Sequence, residues 1–269
     1  MNNFENYVIQ EDLKRIQDSG LEYEKFNHKT FLITGGTGML ASYIVFFLMY
    51  LNENKKNFDC NIILLIRNKK KCVEKYGNYL DKEYFKIYEY DITEKLEINE
   101  KIDYIIHAAS IASTELFSKR PIDTMLPNSI GTYQLLELAD RNKVEKFLFF
   151  STNVCGEIND IKELTEEDFG LINHIDIKNS YVESKKFGET LCKSYWLQRG
   201  VNVNIARIFH TYGPSADLEN DHRVFAEFVK NINQHHNIVM KSDGSQIRDF
   251  CYISDSTEAF LRILINGQD

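Results

Sequence analysis

Hydrophobic and polar positions along the chain follow two alternating rhythms. Short, nearly unbroken β-branched and aromatic runs occupy Thr30–Thr34, Asn61–Ile66, Phe85–Tyr88, Tyr104–His107, Lys146–Ser151 and Val203–Arg207. Longer stretches with helical spacing lie near Met39–Leu51, Asn128–Asn142 and Tyr181–Arg199, with a further one at Ser256–Ile265. Strands that are apolar on both faces and separated by helices predict a parallel sheet sandwiched between helical layers, because only such a sheet hides both faces from water. The predicted class is α/β, a doubly wound parallel sheet.

Residues 1–28 precede the first strand. Their charged amphipathic stretch, Glu11–Gln17, predicts a helix laid on the domain surface, with self-association as the alternative role. The regular alternation spans 29–209. It weakens after Gly213, so a small C-terminal lobe is expected over 210–269. Only three prolines, Pro121, Pro127 and Pro214, punctuate the chain, which leaves most turns to glycine and asparagine. The longest apolar run, Tyr43–Leu51, is about half of the roughly 20 residues a membrane-spanning helix needs, and is read as a buried core helix.

Charge and cysteine usage narrow the setting. A net charge of −8 argues against a nucleic-acid or anionic-membrane surface, so a phosphate-bearing ligand must be held by local groups. The five cysteines, Cys60, Cys72, Cys155, Cys192 and Cys251, are scattered and include no Cys-x-x-Cys pair. They read as reduced thiols in a cytoplasmic protein. The polar, acidic Met1–Gln10 does not read as a signal peptide. His235 and His236 lack metal-ligand partners and read as surface residues.

The first strand runs straight into Thr34-Gly35-Gly36-Thr37-Gly38-Met39-Leu40-Ala41 and then the apolar helix. Gly36, Gly38 and Ala41 fit the G-x-G-x-x-G/A spacing of a Rossmann-type dinucleotide fold. One small residue permits the tight turn, Gly38 lets backbone N–H groups approach a pyrophosphate, and Ala41 lets the helix lie close to the strand. The adenosine ribose is normally met at the end of the second strand, where an acidic residue suits NAD and a basic one NADP. Arg67 occupies that position, followed by Asn68 and Lys69-Lys70-Lys71, so NADP is favoured over NAD. The other reading of those lysines is a solvated loop. Asp91 and Ile92, just after the third strand, are placed to meet the adenine.

Tyr181 and Lys185 lie four residues apart and hence on one helical face. The lysine, helped by an oxidised nicotinamide, is expected to lower the pKa of the phenol. The tyrosine then serves as the acid/base for a substrate hydroxyl. Ser151, at the end of the strand that runs into Thr152-Asn153-Val154-Cys155-Gly156, is placed to bond the same substrate oxygen. Further pieces are Ile106-His107-Ala108-Ala109-Ser110, Asn128-Ser129-Ile130-Gly131-Thr132, Arg207–Pro214 and Asp243–Phe250. With these, the sequence over roughly 29–267 resembles the extended short-chain dehydrogenase/reductases of the nucleotide-sugar epimerase/dehydratase family.

The resemblance implies a nucleotide-diphosphate sugar as substrate, an NAD(P) cofactor, no metal and a homodimer. It implies Ser151, Tyr181 and Lys185 as the catalytic triad. Gly35, Gly36, Thr37, Gly38, Met39, Arg67, Asp91, Ile92, Ala108, Ala109 and Ser110 would face the cofactor, together with Tyr181 and Lys185. Thr152, Asn153, His210 and Arg248 would face the substrate, with Arg248 gripping its diphosphate and His210 a neutral hydrogen-bonder.

The departures bear on reaction type. Where dehydratases of the family carry an Asp-Glu pair, this chain has Thr152 and Asn153. Decarboxylases usually keep the glutamate, which is again Asn153 here. Both chemistries are disfavoured, although Glu157 is an alternative carboxylate. Cys155 replaces a frequent tyrosine, with a structural effect only. The family normally continues some fifty residues past the position of Asp269, so the substrate lobe is either cut short or small. The leading expectation is an epimerase working through a transient keto intermediate. A reductase of a keto nucleotide sugar using NADPH comes second, and a non-catalytic dinucleotide-binding protein third.

Overall fold

The unbroken apolar runs become six parallel strands in a computed structural model, which describes residues 3–268 apart from 112, 154–164, 169, 217, 220, 222, 241 and 246. The strands are β1 (Thr30–Thr34), β2 (Asn61–Ile66), β3 (Phe85–Glu89), β4 (Tyr104–His107), β5 (Lys146–Thr152) and β6 (Val203–Ile208). They lie in the order β3-β2-β1-β4-β5-β6. Each run predicted from sequence is a strand, with ends displaced by no more than one residue. The strand order reverses between β1 and β4, and the carboxyl ends of those two strands open the crevice in which such sheets bind ligands.

Helices cover both faces: α1 (Tyr7–Asp18), α2 (Met39–Asn54), α3 (Lys69–Tyr76), α4 (Thr114–Lys119), α5 (Pro121–Leu126), α6 (Thr132–Asn142), α7 (Ser180–Arg199), α8 (Val224–Asn233) and α9 (Ile253–Asn266). One half of the core joins the sheet to α1, α2 and α9; the other joins it to α6 and α7. α2 is apolar all round because it lies between the sheet and two other helices, and Tyr43 through Met49 have no exposed surface. No helix among the described residues is long and apolar enough to cross a membrane.

Three features differ from expectation. The helix at Glu11–Gln17 is longer, capped by the Asn6 side chain on the Val8 N–H, and is part of the core rather than laid on it. Ile9, Leu13 and Ile16 are buried, and the buried Asp12 carboxylate accepts hydrogen bonds from Tyr43 at 3.0 Å and Tyr252 at 2.9 Å. Arg15 pairs with Asp255 at 2.7 Å at the start of α9. The lysines after Arg67 open α3, capped by Asn68, instead of forming a loop; Cys72 and Tyr76, one turn apart, supply its buried side. The helix expected over Asn128–Asn142 begins as a π-helical turn at Pro127–Gly131, where the Asn128 amide bonds the Thr124 carbonyl at 3.1 Å. Beyond β6, β7 (His210–Tyr212) and β8 (Phe250–Tyr252) form a separate two-stranded parallel sheet.

Candidate active site

β1 ends at Gly35, whose φ of +69° lies in the left-handed region. A Cβ there would stand 2.8 Å from the Ala108 carbonyl carbon and the Ala109 nitrogen, so only glycine lets the backbone leaving β4 lie against this turn. The Thr34 hydroxyl locks the junction by accepting from the Ala108 and Ala109 N–H groups at 3.1 and 3.0 Å. Gly38 caps α2, and a Cβ on it would meet only the Gly35 carbonyl oxygen, at 3.2 Å, with open space beyond. An open cradle at a helix N-terminus, rimmed by backbone N–H groups, fits the pyrophosphate of a dinucleotide. Gly36 has a different task from the one its motif position suggests. It makes room for Leu64 on β2, and its carbonyl accepts the buried Tyr76 hydroxyl. The small residues that shape the cradle are therefore Gly35, Gly38 and Ala41, three residues apart.

Thr37 and Met39 flank Gly38, and Ala108, Ala109 and Ser110 follow the end of β4, with Ala108 and Ala109 against the Gly35 turn. Arg67 is exposed at the end of β2, where the ribose was expected. The Asp91 carboxylate accepts from the Thr93 N–H at 2.9 Å and its hydroxyl at 2.8 Å. These bonds, with Arg67 nearby, hold its pKa below the ordinary carboxylate value. Ile92 is buried, its side chain against the space left by Gly131.

Tyr181 stacks on Phe117 with ring centroids 4.5 Å apart and planes 2° apart. Burial raises its pKa; a hydrogen bond with Thr152 and the charge of Arg223 oppose that rise without reversing it. Lys185 alone therefore does not produce the expected lowering, whose other source is the charge of an oxidised nicotinamide. The lysine meant to cause it is itself buried, which pulls its pKa down to about 7. The Lys185 ammonium donates to the Phe150 carbonyl at 2.6 Å and sits 5.8 Å from the Tyr181 ring centroid. Nearby, His107 is fully buried, bonded with Thr34 at 2.9 Å, and held neutral with its pKa pushed down to about 3 by burial and by Lys185. Asn128 donates to the Ser184 hydroxyl at 3.0 Å, while its own Oδ1 is buried with no partner among the described residues.

Ser151, Thr152 and Tyr181 meet at the carboxyl end of β5. Tyr181 bonds Thr152, whereas the buried Ser151 donates to Glu189. Arg207 clamps that carboxylate through Nη2 at 2.7 Å and Nε at 3.0 Å. The Asn153 N–H donates to the Ile208 carbonyl at 3.2 Å. Residues Val154, Cys155, Gly156, Glu157 and Gln246 lie outside the described residues.

A cavity of about 920 Å³ adjoins the glycine turn, with Met39, Tyr212, Arg223, Phe225, Arg248 and Phe250 in its wall. His210 also lines it and is kept below the ordinary histidine pKa by burial and by the charges of Arg248 and Arg223. Arg248 is exposed, donating to the Ile247 carbonyl at 3.1 Å. Sequence reasoning missed Arg223, which carries no motif. It also missed Glu189, although Tyr181, Lys185 and Glu189 repeat at intervals of four.

Residues 31–269 match the NAD dependent epimerase/dehydratase family. UDP-glucuronic acid decarboxylase 6 of Arabidopsis thaliana is 31% identical over 93% of this chain and 71% of its own length. UDP-glucuronic acid decarboxylase 1 of Xenopus tropicalis is 32% identical over 88% of this chain and 54% of its own. The chain thus spans between about half and seven-tenths of the length of these curated relatives. Among solved structures, the UDP-N-acetylglucosamine 4-epimerase of Methanobrevibacter ruminantium superposes with a TM-score of 0.77 at 23% identity, covering 90% of this chain and 75% of that one. The UDP-glucuronic acid 4-epimerase of Bacillus cereus, in complex with UDP-glucuronic acid and NAD, gives 0.70 at 23% over 89% and 74%. Those two likenesses speak for the fold. The span of the family match, with relatives above 30% identity, makes the chain a member of the NAD dependent epimerase/dehydratase family of nucleotide-sugar enzymes.

Proposed function

We propose that this chain is a nucleotide-sugar epimerase. Tyr181 in its phenolate form takes the proton from a sugar hydroxyl and, as the phenol, returns it, and the Lys185 ammonium, with an oxidised nicotinamide when bound, favours the phenolate. The nicotinamide ring, when bound, supplies a reversible hydride acceptor. Gly35, Gly38 and the start of α2 hold the pyrophosphate, and 210–269 is the substrate lobe, with Arg248 on the diphosphate as a guanidinium fork suits. The observation that carries this reading is the side-chain chemistry around Tyr181: its hydroxyl meets Thr152, and Asn153 follows, so neither position offers the carboxylate that dehydration or decarboxylation uses. Glu189, the nearby carboxylate, is occupied by Arg207 and Ser151. The decarboxylase names of the relatives are therefore not carried over.

A second reading, an NADPH-dependent reductase of a keto nucleotide sugar, draws on Arg67 and the lysines that open α3. We favour NADP as cofactor on the same ground.

The test is incubation with UDP-glucose, UDP-N-acetylglucosamine and UDP-glucuronic acid, with NAD and NADP each supplied. Epimerisation yields an isomer of unchanged mass without net cofactor turnover. Release of CO₂ from UDP-glucuronic acid, or stoichiometric consumption of NADPH by a keto sugar, overturns the reading. Arg67→Asp is expected to shift relative affinity from NADP toward NAD, measured by calorimetry, and an unchanged ratio refutes the cofactor assignment.

A further inference from the structure

We propose that Lys75 and Ser42 are positioning residues that set the affinity for the nucleotide sugar, both acting through Ser215. The proposal rests on the nucleotide-sugar reading above and adds to it the means by which one wall of the cavity is held. That wall includes Gly213, Pro214, Ser215 and Ala216, which follow β7, together with Met39 at the start of α2. A Cβ on Gly213 would overlap the Ile253 side chain, so the segment leaves β7 pressed against α9. Two residues on, Ser215 has a φ of +74°, in the left-handed region. A residue with a Cβ is strained in that conformation and keeps it only where its surroundings hold it.

Two hydrogen bonds hold it here. Lys75 on α3 donates from Nζ to the Ser215 hydroxyl oxygen at 2.8 Å, and the Ser215 and Ser42 hydroxyls are paired at 3.1 Å. The single proton of Ser42 is directed at the Met39 carbonyl, 2.9 Å away, so Ser215 is the donor between the two serines. The bonds then run in one direction, from Lys75 to Ser215, to Ser42, to the Met39 carbonyl. Both ends of this latch are anchored on fixed structure. Ser42 is fully buried in the first turn of α2, where its N–H donates to the Gly38 carbonyl at 3.0 Å. Lys75 precedes Tyr76, whose buried hydroxyl donates to the Gly36 carbonyl. Among the described residues, the cavity wall includes Ser215 but neither Lys75 nor Ser42. Without the latch, Ser215 relaxes toward ordinary backbone angles, and only the fraction of molecules with the wall in place binds substrate. That loss falls on the ground state and the transition state alike, so it is read in KM and not in kcat.

The test is a double-mutant cycle between Lys75→Met and Ser215→Ala. It is read as KM and kcat for whichever of UDP-glucose, UDP-N-acetylglucosamine and UDP-glucuronic acid is turned over, with NAD and NADP each supplied, and as the dissociation constant of UDP by calorimetry. Methionine keeps most of the lysine stem and removes the donor. In the wild-type background, Lys75→Met is expected to raise KM and the UDP dissociation constant roughly five- to thirtyfold, the factor that the strain of a left-handed residue corresponds to. Turnover number should stay within about twofold. In the Ser215→Ala background, the same substitution is expected to change KM and UDP affinity by less than about twofold, because the group it positions is gone. If Lys75→Met fails to fold, Ser42→Ala enters the same cycle with the same expectation. Three results overturn the proposal while leaving the epimerase reading intact: equal factors in both backgrounds, a fall in kcat at unchanged KM, or a rise in KM for Ser215→Ala that neither Lys75→Met nor Ser42→Ala reproduces, which would make Ser215 a direct contact only. A wild-type protein that neither binds UDP nor turns over any nucleotide sugar overturns the reading and the proposal with it.

Discussion

Replacing Gly35 by alanine isolates how much of the cofactor cradle depends on one missing methyl group. The residue combines a φ of +69° with a would-be Cβ only 2.8–2.9 Å from backbone atoms of Ala108 and Ala109. Gly200, which terminates α7, has nearly the same φ of +68° but nothing within 4 Å of its would-be Cβ. The left-handed conformation costs an L-residue about 1–2 kcal/mol. Wedging a methyl against immobile backbone adds about 1–3 kcal/mol. Gly200→Ala should therefore lose about 1–2 kcal/mol and Gly35→Ala about 2–5 kcal/mol. The entropy that alanine removes from the unfolded chain is common to both and cancels in their difference. Equilibrium unfolding in urea reads the result. With a slope of about 3 kcal/mol per M, the midpoint should fall by about 0.3–0.7 M for Gly200→Ala and about 0.7–1.7 M for Gly35→Ala. Equal shifts would show that the close approach of the two chain segments carries no energetic weight, and the argument for glycine at the turn would fall back on φ alone.

Tyr181→Phe keeps the stack on Phe117 and removes only the hydroxyl, so turnover should drop about 10²–10⁴-fold with dinucleotide affinity unchanged; full activity in steady-state assays would contradict the assignment. Burial holds Lys185 near a pKa of 7 against an ordinary 10.5, so between those values the unfolded chain binds the extra proton, and this group's penalty on stability fades as pH rises. The melting temperature of the wild type minus that of Lys185→Met should accordingly climb from pH 7 to pH 9, and a flat difference would refute the shift. Asp12→Ala strands the hydroxyls of Tyr43 and Tyr252 and should cost about 3 kcal/mol, or roughly 6–12 °C in calorimetric melting temperature; a loss under about 2 °C would mean the carboxylate is dispensable.

The sheet was legible in the sequence because its inner strands β1, β2, β4 and β5 are buried on both faces and read as nearly continuous apolar runs. β7 and β8 were not, since each is three residues long and they pair across a wide sequence gap. α3 hid for a related reason. Of its eight residues, only Cys72 and Tyr76 are buried, a pair too sparse to stand out from the lysines around it. The π-helical turn at Pro127–Gly131 depends on what Asn128 and Gly131 touch, and those contacts lie on other elements. In the site, the phenol and the ammonium could be paired from their spacing. The sign of the shift at Tyr181 could not, because it depends on how deeply both groups are buried, and burial is a property of the folded whole. Glu189 was within reach. Its four-residue step from Lys185 was visible, but its partner Arg207 becomes adjacent only through the register of β5 and β6.

The joining of α1 to α9 bears on how the chain can be made. The apolar side of α1 is covered by α2 and α9, Asp12 bonds Tyr252, Arg15 pairs with Asp255, and Arg262 donates to the Ser19 carbonyl at 2.9 Å. Those partners lie about 240 residues downstream. α1 leaves the ribosome before α9 and thus has no finished docking surface until the segment containing α9 has also emerged. At roughly 5–20 residues per second, that delay is on the order of ten to fifty seconds, during which Ile9, Leu13 and Ile16 lack part of their cover. The Rossmann-type sheet can form during this interval, since β1 through β6 precede α9. Closure by α1 is then a late folding event, completed after synthesis of the strands that follow it.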